Sequence, residues 1–495
     1  MEYYATLILI LIPLLTIPLL YVVPKHVAKH VALISAISSL GILLGMYYSP
    51  FFDLCTCKTF QFVFNEVWVK ALGINLHFGI DGTAMLMLML TNIVTPLVVL
   101  SMYGRPQGNT RGLPALILFM QASLVGVFMA MDSFVFYLFY ELALIPVFFM
   151  ILHWGGENKN KINIKFFIYT LTGSLLMLVA IIFLYLKTGS SQTFNIRAFY
   201  TLALTAQEQA FVFFCFMAAF AVKIPLFPFH TWQPATYTTA PTQGTMMLSG
   251  IMLKMALYGM LRFVLPIAPL AVEQFGPIVM LLAVIGVIYG AWIAIGQNNI
   301  KTLFAYSSLS HVGLIAAGML TMYPQALQGS LFQMITHGIN AVGLFMVADI
   351  LGKRLGTYEL SKMGGIVKKA PVFSILFFII VLGAVGMPLT NGFVGEFLLL
   401  LGLFGFNKYL AAVAGLTIIF GAVYLLNTYQ KAMLGKPNED VEFKDLTIPE
   451  TIVMLTVAVV VIGTGIFPEL FLGLTRSPVE HLISDLQNSA LNFLN

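Results

Sequence analysis

Residues 209–229 read QAFVFFCFMAAFAVKIPLFPF. A helix crossing a bilayer core of about 30 Å needs roughly 20 mostly apolar residues, and this run has that length. It also holds a lysine, Lys223, followed by Pro225 and Pro228. Proline removes an intrahelical hydrogen bond and clashes with the preceding turn. The stretch therefore predicts a membrane-crossing helix that breaks beside an ionisable group. Such a break is tolerated at membrane depth only where the freed backbone faces protein or water.

The rest of the chain agrees. Of 495 residues, 59% are hydrophobic and only 9% are charged, whereas a soluble domain carries roughly a quarter charged residues. Too few polar side chains remain to cover a water-facing surface, which excludes a cytosolic enzyme, a nucleic-acid binder and a disordered chain. Fourteen runs of sufficient length lie between residues 2 and 473. The reading is an all-α polytopic membrane protein of about fourteen spans. The first run lacks a basic region before it and a small-residue cleavage site after it, so it reads as a retained helix. Connecting loops are short, the longest near 51–80.

Lys and Arg are unevenly shared between the loops. Those after odd-numbered spans hold 16 and those after even-numbered spans hold 6. Cytoplasmic loops carry the basic excess. The odd loops are therefore expected in the cytoplasm and both termini on the other side.

Cys55, Cys57 and Cys215 are too few for a disulfide framework or a four-cysteine metal site. No CxxC, no GxGxxG after a strand and no phosphate-binding loop is present. No cofactor is expected in this chain, and any redox chemistry belongs to partners.

An ionisable side chain at the centre of a span costs at least about 2.5 kcal/mol and so needs a partner, a water cavity or a function. Glu141, Lys223, Lys254 and Glu396 lie well inside apolar runs. The bland alternative is a buried ion pair that locks helices, or a lysine that snorkels to the interface. Snorkelling suits Lys301, Arg262 and Lys408 at span ends. Glu396 also follows a break signal, Gly386, Pro388, Asn391 and Gly392. A broken helix beside an ionisable residue is the expected form of an ion-translocation site. His311 and His337 titrate near neutral pH. Ser307, Ser308, Ser310, Gln333, Thr336 and Asn340 accompany them, a polar density that admits water.

A weak internal symmetry accompanies these charges. Ile224-Pro225-Leu226 reads like Met387-Pro388-Leu389. Spans 4–8 and 9–13 would form two five-helix repeats, and an odd number of helices makes them an inverted pair. The division is then 1–111 for spans 1–3, 112–264 and 265–433 for the repeats, and 434–495 for span 14 and the tail.

FAVKIPLFPFHTW, APTQGTMMLSGIMLKMALYGMLRF, KTLFAYSSLSHVGLI, QMITHGINAVGLFMVADIL and GMPLTNGFVGEF occur in this order. Together they resemble the antiporter-like, proton-pumping subunits of NADH:quinone oxidoreductase, respiratory complex I, along nearly the whole chain. The glutamate at Glu396, where the L- and N-type sisters carry lysine, makes the resemblance closest to the M-type. The resemblance implies that Glu141 and Lys223 form a coupled ion pair and that Lys254 is a central relay. It implies that His311 and His337 carry protons onward to Glu396. It further implies L-type and N-type neighbours, a peripheral arm holding flavin and iron-sulfur clusters, and a place in a bacterial inner membrane. One stretch departs: Gln233 to Tyr237 stands where many relatives have LPDAH, so the acidic residue and the histidine are missing. The alternatives are a subunit of a multi-subunit sodium/proton antiporter, a membrane-bound hydrogenase subunit, and a structural anchor that moves nothing.

Overall fold

The computed structural model describes residues 2–53, 60–103, 111–435 and 443–494, the side chains only as far as 486 in the last segment. Cys55 and Cys57 lie outside the described residues. Twelve helices among those described are long and apolar enough to cross a membrane. Their burial separates a centre from a rim. The most apolar stretch of Pro324–Leu355 is fully enclosed, and those of Thr242–Ile267 and Ile300–Leu320 are nearly so, whereas only 28% of Ala5–Val22 is buried. Those central helices carry Lys254, His311 and His337. The outer helices present Leu15, Ile34, Ile168 and Ile419 outward, as lipid-facing surfaces require.

Both expected interruptions are present. Ala206–Lys223 stops at Lys223, and a separate short helix, Gln233–Thr239, follows. The carbonyl of Val222, left without a helical donor, accepts from Trp232 Nε1 at 2.8 Å. The run predicted as one span over 371–402 is two helices, Pro371–Val385 and Asn391–Phe406. Gly386 turns the chain between them at φ +78°, which favours glycine.

A third interruption was not expected. The helix bearing Glu141, Ser133–Leu142, ends and a new one, Leu144–Trp154, begins. Pro146 explains it, because a proline four residues after Leu142 has no N–H to give that carbonyl. Wider turns also flank Lys254, at Leu248–Met252 and Met260–Val264. In the first, Leu253 N–H reaches back five residues to Leu248 O.

The all-helical expectation fails in the 51–80 loop. Gln61–Val69 and Ile74–Ile80 pair as an antiparallel hairpin, with Asn75 opposite Val67. Two short strands lie below a 20-residue span ruler, which is why they went unread. Gly73 forms the turn at φ +66°. The snorkelling expectation also fails for two of its three residues. Lys301 is buried and donates to Thr238 O and Ala240 O, both at 2.9 Å. Arg262 pairs with Asp81 at 2.5 Å, between the rings of Phe60 and Tyr258. Lys408 is exposed.

Contacts between connecting segments sort into two faces. On one, Arg111 reaches Val23 O, Gly156 N–H reaches Thr239 O, Asn298 reaches Ser361, and Gly365 N–H reaches Leu434 O. On the other, Asn75 N–H reaches Asp132, Ser133 N–H reaches Phe194 O, Tyr200 reaches Arg262 O, and Tyr323 reaches Gly405 O. The helix Glu469–Leu494 packs back on Gly82–Leu100 and Pro324–Leu355.

Candidate functional site

Lys254 is fully buried. Its Nζ donates to Ser249 O at 2.5 Å, a carbonyl in the wide turn, and lies 2.8 Å from His337 Nδ1. The wide turn supplies this carbonyl, since a five-residue step takes the helical pairing out of register. The rings of His337 and His311 stand 6.2 Å apart between centroids. His311 Nδ1 in turn lies 3.1 Å from Glu396 Oε1, off the line of a hydrogen bond, and His311 Nε2 has no partner among the described residues. Gln333 Nε2 approaches the same carboxylate oxygen at 3.5 Å. Glu396 is 2% exposed.

Four residues from four helical segments therefore make one buried line, Lys254, His337, His311 and Glu396. The widest step, between the histidines, borders a cavity. Ser307, Ser308, Gln333 and Asn340 line it together with both rings, and it leaves about 20 Å³ for water. A cavity needs roughly 10–15 Å³ and a few polar partners to hold a water, so this one admits at least one. Of the polar residues read from sequence as companions, Ser310 turns away, to Val287 O and Thr417.

The break beside Glu396 is tied to the same line. Asn391, at the start of the second half-helix, exchanges hydrogen bonds with Asn340 at 3.3 Å each way. Asn340 lies one turn beyond His337. A Cβ on Gly386 would stand 2.7 Å from Glu396 Oε2. The glycine thus allows both the turn and the carboxylate's place in it.

Glu141 and Lys223 are arranged differently. Lys223 is buried at the end of its helix, with Nζ 5.1 Å from the centre of the Tyr140 ring. Glu141 is half-buried, faces Ser174 and lies within electrostatic range of Lys223. No ion pair within 4.0 Å joins them. The contact implied by the resemblance is therefore an approach without touching. From Tyr140 beside Lys223 a row of rings continues, tilted against Phe220 and then stacked through Phe216 to Phe263. The Tyr140 hydroxyl in this cluster has no partner among the described residues.

Residues 233–237, where the sequence departs from LPDAH, form part of a buried helix. Gln233 donates to Ala305 O at 3.1 Å, and Lys301 holds the helix's far end. Ser249, Tyr140 and Asn391 take part in the site without having been singled out for it. Only Asn391 carried a signal, its place beside a proline-glycine break.

Known proteins match this arrangement. The family described as NADH:quinone oxidoreductase/Mrp antiporter, TM, matches residues 130–421. NADH-quinone oxidoreductase subunit M of Rickettsia typhi is 37% identical over 461 residues, 92% of each chain. A chain of respiratory complex I from Thermus thermophilus superposes with a TM-score of 0.89 at 32% identity, covering 98% of this chain and 100% of that one. A chain of the Mrp complex from Dietzia shares the fold at 21% identity, with a TM-score of 0.84 over 98% of this chain and 99% of that one. The chain belongs to the NADH:quinone oxidoreductase/Mrp antiporter transmembrane family, on the branch of NADH-quinone oxidoreductase subunit M.

Proposed function

We propose that this chain is a proton-translocating membrane-arm subunit of an NADH:quinone oxidoreductase. The observation that carries the reading is the buried line from Lys254 through His337 and His311 to Glu396, with room for water at its widest step. A structural ion pair would not need two histidines and a hydrated gap between its ends. Glu141 and Lys223 form the gating pair. Burial disfavours charge on a lysine and a nearby carboxylate favours it, so the separation of these two side chains governs whether Lys223 holds a proton. Lys254 receives the proton, the histidines pass it on, and Glu396 exchanges it. Redox energy comes from partners that hold flavin and iron-sulfur clusters, and L-type and N-type chains flank this one.

The chain crosses the membrane fourteen times in this reading. Two further spans, broken after Lys223 and before Glu396, complete the twelve helices long and apolar enough to cross. The sorting of loop contacts into two faces supports that alternation. Residues 112–264 and 265–433 form the inverted repeats, preceded by 1–111 and followed by 434–495. The basic excess of the odd loops places them in the cytoplasm and both termini on the opposite side of a bacterial inner membrane.

The test is NADH-driven proton pumping in inverted membrane vesicles with assembly of the complex verified. Lys254→Ala is expected to abolish it, and near-normal pumping would overturn the reading. A sodium/proton antiporter subunit is the second reading, supported by the shared fold of the Mrp chain. Flavin and iron-sulfur partners that copurify with the tagged chain decide for the first reading, and their absence decides for the second.

A further inference from the structure

Asp132 is a buried carboxylate, 2% exposed, that the proton line does not use. It stands immediately before Ser133–Leu142, the helix whose last turn carries Glu141. Its two oxygens do different things. Oδ1 accepts from Phe134 N–H at 2.9 Å and Val135 N–H at 3.1 Å, and so caps the helix. Oδ2 accepts from Asn75 N–H at 3.1 Å, a donor on the second strand of the hairpin. Neighbouring contacts strengthen the same junction: Met131 N–H donates to His77 O at 2.9 Å, and Phe78 bridges Ala130.

The other end of this helix lacks one backbone hydrogen bond. It stops at Leu142, and the next helix starts at Leu144 with Pro146 in its first turn. A ten-residue segment is thus fastened to the hairpin at one end and, at the other, runs through helical Ala143 into the next helix with one backbone hydrogen bond missing. Glu141 sits beside that weakened turn, about 13 Å along the axis from Asp132 at 1.5 Å per residue. No direct contact fixes its distance to Lys223. What holds this segment, together with Ser174, which Glu141 faces, therefore sets that distance.

We infer that Asp132 is a positioning residue for proton transfer: its bond to Asn75 N–H couples the place of the hairpin to the place of Glu141 relative to Lys223. The inference rests on the reading of Glu141 and Lys223 as the gating pair.

Asp132→Asn keeps a capping oxygen for Phe134 and Val135 but turns an amide donor toward Asn75 N–H, or the reverse. Asn75→Pro deletes the donor from the other side. That N–H points away from the partner strand, so proline is tolerated there. Asn75→Ala keeps the N–H and loses only the side-chain bond to Asn65. In vesicles with the whole complex assembled, Asp132→Asn and Asn75→Pro are expected to lower NADH-driven pumping roughly fivefold, the effect of one hydrogen bond. They should also move the midpoint of its pH profile by about half a unit. Asn75→Ala should match the unsubstituted protein.

A reduced rate with an unmoved midpoint would mean packing alone and would overturn the inference. So would unchanged pumping, or failure of both Asp132→Asn and Asn75→Pro to assemble. Glu141→Gln, measured alongside, separates the two levels. Normal pumping in that variant removes the gating pair itself, whereas impaired pumping there with a normal Asp132→Asn removes only the role given to Asp132.

Discussion

The two halves of the site handle buried charge in opposite ways. From Lys254 to Glu396 the groups nearly touch, at 2.8 Å and 3.1 Å on either side of one histidine gap. At Glu141 and Lys223 the two groups face each other without contact, among aromatic rings and beside a turn that lacks one helical hydrogen bond. A row of groups in contact is suited to conduction. A pair held apart, one member on a helix capped against the hairpin, is suited to control. The difference teaches that buried charges in one chain need not all do the same work.

Substitutions can break this comparison. Lys254→Ala removes the first link of the conducting line and should lower pumping on the order of a hundredfold, the scale of losing a positioned proton carrier. Glu396→Asp and Glu141→Asp each shorten a carboxylate by one methylene. The former should lose its 3.1 Å approach to His311 and fall about tenfold, while the latter shifts a longer-range interaction and should fall about threefold. Equal losses, read as initial pumping rates in vesicles, would erase the distinction drawn between the halves. Gly386→Ala places a methyl group against Glu396 and forces a left-handed backbone on alanine. About 1–2 kcal/mol of strain is expected there, seen as a lower melting temperature of the complex together with slower pumping.

The smallest effect concerns Asp132. Burial pushes its carboxyl up to about 6 from an ordinary 3.8, against the pull of three N–H donors. A raised carboxyl contributes stability that is complete below about pH 3.8 and is lost as pH rises through about 6. The complex should therefore melt lower at pH 7.5 than at pH 5, by about 2 °C from this residue. Asp132→Asn should shrink that difference, and an undiminished difference would assign the pH dependence to other groups.

Much of this was legible in the sequence. With so few charges, each one inside an apolar run stood out, and all six residues named for proton transfer proved buried or half-buried. The breaks at Pro225 and Pro388 were legible because proline acts locally. Lys301 and Arg262 were misread because their partners, Thr238 and Asp81, are remote in sequence and only packing brings them together. The separation of Glu141 from Lys223 was likewise invisible, since it depends on where two helices end. The wide turn that offers Ser249 O to Lys254 has no residue signature at all.

The sorting of loops into two faces bears on how the protein is made. Each connecting segment finds its partners mainly in segments on its own face that are two or four spans away, as Gly156 finds Thr239 and Asn298 finds Ser361. A chain inserted from its amino terminus can therefore settle progressively as it emerges, without waiting for distant parts. Helix packing reaches further: Pro324–Leu355 and then Glu469–Leu494 both return to Gly82–Leu100, a helix synthesised hundreds of residues earlier. The second of these contacts can form only once all the spans before it have been made, so it ties late-made helix to early-made helix.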